Sequence, residues 1–453
     1  MLFLNKTIDR AQICSFVAVM ITPALMGCSG TQINSDSIAM EASPLPLVTA
    51  LNIAQITPIA TPLPTAMMPT TLIIWWPEPL APVDHPELSE EGGVLYEQIN
   101  TFDLAEGVSV EVDFRRKQPT DTGGIMSTLR TAVAVAPGSV PDVTLLRRED
   151  LLTAVQLGLV HPLEDFISPA VIDDLYGVGL ELGRVNGEIY GLPYMLDALV
   201  LAYHPSETAI LSETTWNFED ILAQDSPLLF PAVRPNGISN LFLLQYVSAG
   251  GTLPDISGIM TLNLDALEAT LSFYEQAQNM GLIAPRTLDA QSSADYLSEI
   301  VNGSSYLAVM TSSQYLKLHT ADNSLRVASV PTSNGDTVTT VNGWMWVITA
   351  ETADRQALAA RFIDWMMDSD RQRNYAGAIY VLPSQETALL GLNRSLVDTH
   401  LMDDLLTHAI PIPPDNLGGI VTRAMQNALI AVLSGEASAE EAVQEVIEQT
   451  EGS

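Results

Sequence analysis

Only two cysteines, Cys14 and Cys28, occur in 453 residues. Both fall near the start, so everything downstream lacks disulfides and thiol chemistry. Positive charge is scarce as well. Lys and Arg total 19 against 54 Asp and Glu, and the only lysines are Lys6, Lys117 and Lys317. The formal net charge of −35 repels nucleic-acid phosphates and anionic headgroups, so no nucleic-acid partner is expected. The same field works against an anionic ligand, although one arginine-lined pocket can override it locally. Charged residues of either sign make up only 16% of the chain, while 47% is hydrophobic. That is enough to bury a large core in two or three lobes.

Catalytic motifs are missing too. The six histidines, His85, His161, His204, His319, His400 and His408, are scattered. None forms an HxxxH or HExxH pair and no cysteine lies near them, so no metal or cofactor is implied. There is no GxSxG, no GxxxxGK[ST] and no GxGxxG after a strand. Asp173-Asp174 and Glu440-Glu441 are expected on solvated helix faces. Glycoside hydrolysis needs two carboxylates flanking one bond. Asp197 has no obvious second, so no enzyme is expected.

The N-terminus is better furnished. Lys6 and Arg10 precede the apolar run Ala11–Leu25, too short to span a membrane comfortably. Leu25-Met26-Gly27-Cys28 resembles a bacterial lipobox, in which the cysteine is acylated and becomes the mature terminus. Residues 1–28 are therefore read as a lipoprotein signal peptide. Residues 29–70 are rich in Pro, Thr, Ala and Ser, show no sustained period, and read as a flexible tether.

Folded structure is expected from Thr71. Leu72–Trp76 is a continuous apolar run suited to a buried parallel strand. Helical spacing at Leu95, Ile99 and Phe102 follows, then strand alternation over Val108–Val112, a helix over Ile125–Val135 and a strand over Pro141–Leu145. Strand and helix continue to alternate, the pattern of an α/β sheet with crossover helices. Thr215, opening Thr215–Ile221, can cap a helix, and Trp216 is expected in the core. The chain ends in two helical patterns, Leu417–Leu433 and Ala439–Gln449, split by Ser434-Gly435-Glu436.

The stretch Val185–His204, VNGEIYGLPYMLDALVLAYH, organises the rest. Asn186-Gly187 is a tight-turn signal, and Leu199–Tyr203 is an apolar run of strand length. Asn186, Gly187, Tyr190, Gly191, Pro193, Leu201 and Tyr203 resemble the first inter-lobe crossover of ABC-importer solute-binding proteins, the extracellular family that includes maltose-binding protein. His204 departs from that pattern. Other segments resemble the same family. Among them are Pro141-Asp-Val, Val160–Phe166, Thr215-Trp-Asn-Phe, the return crossover Tyr296–Gln314 with Gly303 and Met310, and the third crossover Val341–Ile348. Leu358–Met367, Gln372 with Val381-Leu-Pro383, and the C-terminal ending do so as well. The resemblance runs in order over about residues 71–450.

That resemblance implies two α/β lobes joined by several hinge crossovers, with a ligand cleft between them. It implies a first lobe at about 71–196 and 311–343, and a second at about 197–310 and 344–450. It implies a monomeric, extracytoplasmic, lipid-anchored protein that captures a small solute, a sugar or oligosaccharide, and hands it to permease subunits. A closed cleft needs polar side chains for ligand hydroxyls and flat rings for sugar faces. The residues so placed are Trp76 and Glu78 after the first strand, Arg148 and Glu149 after the Pro141-Asp-Val strand, and Asp197 in the first crossover. Asn240 at a helix start, Tyr315 after the return crossover, and Asn342, Gly343 and Trp344 in the third complete the set. Asp197, Glu78 and Glu149 also read as solvated loop charges, Arg148 as a partner of Glu149, and Trp344 as core. A surface sensor or adhesion lipoprotein of the same fold, or an extracytoplasmic hydrolase, are the competing readings.

Overall fold

The computed structural model describes residues 71–81, 90–106, 110–120, 123–205, 215–254, 259–302, 306–413 and 419–451. All fall within one compact unit, Ala66–Ser453. The signal peptide with Cys28, the tether and Gly303 lie outside the described residues.

Among the described residues ten strands form one mixed sheet. Its main path runs β2 (Glu111–Lys117), β1 (Thr71–Pro77), β3 (Val143–Leu146), β10 (Thr340–Ile348), β6 (Leu192–Tyr203), β8 (Leu307–Thr311) and β7 (Leu228–Leu229). β9 (Arg326–Ala328) and β11 (Leu382–Pro383) pair antiparallel with β6, and β12 (Ile410–Pro411) pairs parallel with β10. β1 is parallel to both β2 and β3; β10 is antiparallel to β3 and β6. A separate hairpin, β4 (Arg184–Val185) and β5 (Glu188–Ile189), turns on Asn186 and Gly187, both with positive φ.

β1 is apolar on both faces because both are covered. Leu72, Ile74 and Trp76 enter one core cluster and Trp75 another. β2 begins at Glu111, later than the alternation over 108–112 suggests. As a sheet edge it carries Arg115, Arg116 and Lys117, polar residues that an edge tolerates.

β6 is the longest strand, and its two ends serve different neighbours. Leu192–Ala198 pairs with β10, and Leu199–Tyr203 pairs with β8 and β9. Around its first part lies an aromatic core of Trp76, Tyr194, Trp346, Phe362 and Tyr375. Around its second part lies a core with Phe230, Phe242, Tyr274 and Leu429. A third cluster runs past both through Leu196, Ala198, Val200 and Ala202.

This packing divides the chain differently from the expected boundaries. Trp344, Trp346, Phe362, Tyr375 and Val381 share the core of Leu72 and Ile74, whereas the resemblance implies the second lobe for them. The reason is topological. β10 lies antiparallel beside β3, so the helices that follow, Ala353–Met366 and Ser369–Ile379, return onto the face of β1. Of the helices after β10, the last two, Gly419–Ser434 and Ala439–Glu451, bring buried residues into the core of Tyr274.

Candidate functional site

A cavity of about 260 Å³ opens where β6 and β10 run side by side. Its walls are Met195–Leu199 of β6, Thr340 and Asn342–Trp344 of β10, and Pro79-Leu80 beyond β1. Arg147 beyond β3, Asn240 of the helix Asn240–Ser248, Thr311, Ser313, Lys317, Val381 and Ile412 also line it. Of the residues expected in the site, the structure brings together Asp197, Asn240, Asn342, Gly343 and Trp344.

Asp197 lies opposite Asn342 in the β6–β10 register. Its carboxylate meets the start of the helix Ser312–Ala321. One oxygen accepts from Ser312 Oγ and from the Ser313 backbone N–H, both at 2.9 Å; the other accepts from Ser313 Oγ at 2.8 Å. Three donors and a helix N-terminus hold a negative charge well. Asp197 thus fastens this helix to β6, and its capacity to accept ligand hydroxyls is largely used. Thr311 closes the junction as N-cap, with Gln314 completing the capping box.

Asn342 receives the Gly343 N–H on Oδ1 at 2.8 Å, and its amide reaches Glu149 at 3.4 Å. Gly343 is there for space. A Cβ would stand 2.7 Å from the Met195 carbonyl oxygen and 2.9 Å from Leu196 Cδ2. Trp344 is 7% exposed and belongs to the aromatic core, yet its indole also borders the cavity. The Arg147 guanidinium lies 4.8 Å from its ring centroid. Thr340 is buried, and its hydroxyl has no hydrogen-bond partner.

Five expected residues do not line this cavity. Trp76 is fully buried, donates from Nε1 to the Leu80 carbonyl at 3.0 Å, and packs edge-on against Trp346 with centroids 5.4 Å apart. Its strand is roofed by helices, so the ring never reaches a surface. Glu78 is exposed and accepts from Gln118 at 2.6 Å. Arg148 and Glu149 are not on a loop; they open the helix Arg148–Gln156. Arg148 turns away to donate to the Leu182 and Arg184 carbonyls at 2.7 and 2.6 Å, satisfying the end of the helix Gly177–Gly183. Glu149 touches the site only through Asn342. Tyr315 is buried and stacks on His319 at 5.4 Å, its phenol pushed up to about 12 by burial.

Arg147 and Lys317 were not foreseen. The signal was present: Lys317 is one of three lysines in a chain of net charge −35, and it follows a crossover strand. Among the described residues neither cation has an ion-pair partner within 4 Å; Arg147 interacts with Asp150 only at longer range. A wider groove of about 930 Å³ lies between the helices Glu90–Glu106 and Ser369–Ile379 and residues 391–396. Its arginines are already engaged, Arg371 with Asp368 at 3.5 Å and Arg373 with Asp370 at 2.8 Å. Among the described residues no group of His, Cys, Asp and Glu could hold a metal, and no helix is long and apolar enough to cross a membrane.

Solved structures share this arrangement. The sugar-binding protein MalE of Xanthomonas citri is 18% identical with a TM-score of 0.66, over 84% of this chain and 96% of that one. A cyclic alpha-maltosyl-1,6-maltose binding protein of Arthrobacter globiformis is 15% identical with a TM-score of 0.64, over 84% and 98%. The maltose-binding MalE of Listeria monocytogenes is 16% identical with a TM-score of 0.62, over 84% and 96%. At these identities the likeness establishes the fold. No curated protein matches the chain. The model of the bacterial extracellular solute-binding proteins matches residues 98–395, well over half of the sequence, and the chain belongs to that family.

Proposed function

We propose that this chain is the ligand-capturing lipoprotein of an ABC importer, taking a sugar or short oligosaccharide from outside the cell and delivering it to permease subunits. The observation that carries the reading is the cavity at β6 and β10, where Asn240, Asn342, Thr340 and the Trp344 ring converge. Amides and a buried, unpartnered hydroxyl suit ligand hydroxyls; an indole suits a sugar face. The sugar-binding proteins that share the fold support the ligand class.

The mechanism is closure of two lobes on the ligand. One lobe is built on the Trp76 core and the other on the Tyr274 core, with β6 passing between them. Ligand contacts made in the closed form alone shift the open–closed equilibrium. No bond is made or broken. Cys28, acylated and left as the mature N-terminus, is the anchor, and residues 29–70 hold the domain off the membrane.

A thermal-shift screen of sugars, amino acids, polyamines and inorganic anions tests the ligand class. A ligand at a hundred times its Kd stabilises by about 2.7 kcal/mol. A shift with a sugar is expected. A shift with an amino acid or polyamine alone overturns the sugar reading. Cys28→Ser is expected to release the protein from membranes; a wild type that takes up no labelled lipid would replace anchoring with simple secretion.

A further inference from the structure

The solute-binding reading can be carried further by the charges in its cleft. This protein has 54 acidic and 19 basic residues, so a cation without an acidic neighbour is not the default. Many arginines do have one. Arg355 grips Asp142 at 2.6 Å, Arg115 meets Asp113 at 2.5 Å, and both groove arginines are paired. Among the described residues neither Arg147 nor Lys317 has an ion-pair partner within 4 Å, although the Asp150 carboxyl, outside the cavity wall, feels the Arg147 charge, and both cations border the same cavity. They reach it from different segments, one beyond β3 and one on the helix Ser312–Ala321.

The sole carboxylate on the cavity wall does not answer them, because Asp197 is held by Ser312 and Ser313. Counted together, the three lining charges leave one positive charge over. A buried ligand is favoured when it cancels that excess. A single carboxylate does so; a phosphate monoester, nearer two negative charges, would overshoot. Arg147 lies over the Trp344 ring, which orients the planar guanidinium while leaving its N–H groups for a bidentate acceptor. The remaining polar groups, Asn240, Asn342 and the unpartnered Thr340 hydroxyl, are neutral and suit alcohols. At about 260 Å³ the cavity falls just below the usual span of ligand pockets, roughly 300–1,000 Å³.

We infer that the ligand is an acidic sugar of one or two rings, a uronic acid or a uronate-ended disaccharide, whose carboxylate is bound by Arg147 and Lys317. The overall charge of −35 slows the approach of such an anion, and the cleft supplies the local field that captures it.

The test is calorimetric titration of the full mature protein with matched pairs: glucuronate against glucose, galacturonate against galactose, and digalacturonate against galactobiose. At least one acid member is expected to bind ten-fold or more tightly than its neutral counterpart, and to weaken with added salt. Arg147→Gln and Lys317→Gln should each lower that affinity about ten-fold or more with unchanged melting curves. Arg147→Lys, which keeps the charge and loses the fork, should fall between Gln and wild type. Equal affinity for the acid and neutral members of a pair overturns this inference and leaves the sugar reading standing. Binding of the acid member that neither Gln variant weakens also overturns it. Binding of no sugar of either kind overturns both.

Discussion

Two tryptophans in this protein look alike in sequence and live in different surroundings. Trp76 ends β1 and Trp344 lies within β10, and both belong to one aromatic core. Trp76 is enclosed by Tyr194, Trp346 and Tyr375, with ring centroids 5.4 to 6.2 Å away. Trp344 has core on one side and the cavity on the other, with Arg147 over its ring. The difference is what covers each strand end. Helices close over the first, whereas the second faces the gap between two cores. An aromatic side chain near a strand end is thus a binding residue only where the next layer leaves it uncovered.

The comparison breaks most directly at Trp76. Trp76→Ala empties a fully enclosed site, and about 3–5 kcal/mol of unfolding free energy should be lost in urea titrations. Ligand affinity of the folded fraction should hold. Loss of affinity with full stability would make Trp76 a binding residue after all.

Asp197→Ala comes next. It removes an acceptor from three donors and frees the start of the helix Ser312–Ala321. Roughly 3 kcal/mol of ligand-free stability should go, because bonds to charged groups contribute about 1.5–3 kcal/mol each and the serines can turn to water. An unchanged unfolding midpoint with weakened binding would return Asp197 to the ligand.

Trp344→Phe sharpens the contrast. The core side stays filled, so stability should change by about 1 kcal/mol or less. The indole face under Arg147 is lost, so affinity should fall about ten-fold in calorimetry. The opposite pattern, stability lost and affinity kept, would assign Trp344 wholly to the core.

The smallest expected effect is in titration. Asp150, on the helix that follows Arg147, has its carboxyl raised to about 6, first by burial and then by Glu149, with the Arg147 charge opposing the shift. The unfolded value is about 3.9, so the folded protein holds this proton longer. Stability contributed by the group is full below pH ~4 and is lost as pH rises to ~6, levelling above. Melting temperatures of Asp150→Asn should lack that decline and exceed wild type at pH 7. Identical profiles would show that Asp150 is not strained.

Much of the fold was legible in sequence because hydrophobic period and turn chemistry are local. The helix at Ile125–Val135 and the Asn186-Gly187 turn stand where their residues put them. Errors arose where a neighbour decides. Thr215 looked like a cap, but Asn217 serves, with Asp220 completing a capping box. Asp174 looked solvated, yet it accepts from Gln385 and Thr387 across more than 200 residues of sequence. In the site, half of the expected residues line the cavity. Arg148 and Arg147 are adjacent and chemically equal; only the start of a helix turns one toward backbone carbonyls and leaves the other facing the cleft.

The scarcity of amines gives the cleft a reporter of its own. In the described part of the protein an amine-reactive ester meets only two lysines. Lys317 stands at the cavity, while Lys117 sits on the sheet edge with its ammonium 4.5 Å from the Trp75 ring centroid. A bound solute should shield the first and leave the second to react as before. The ratio of the two labelled peptides in a mass spectrum then reads occupancy directly, in the unaltered protein and without a transport assay.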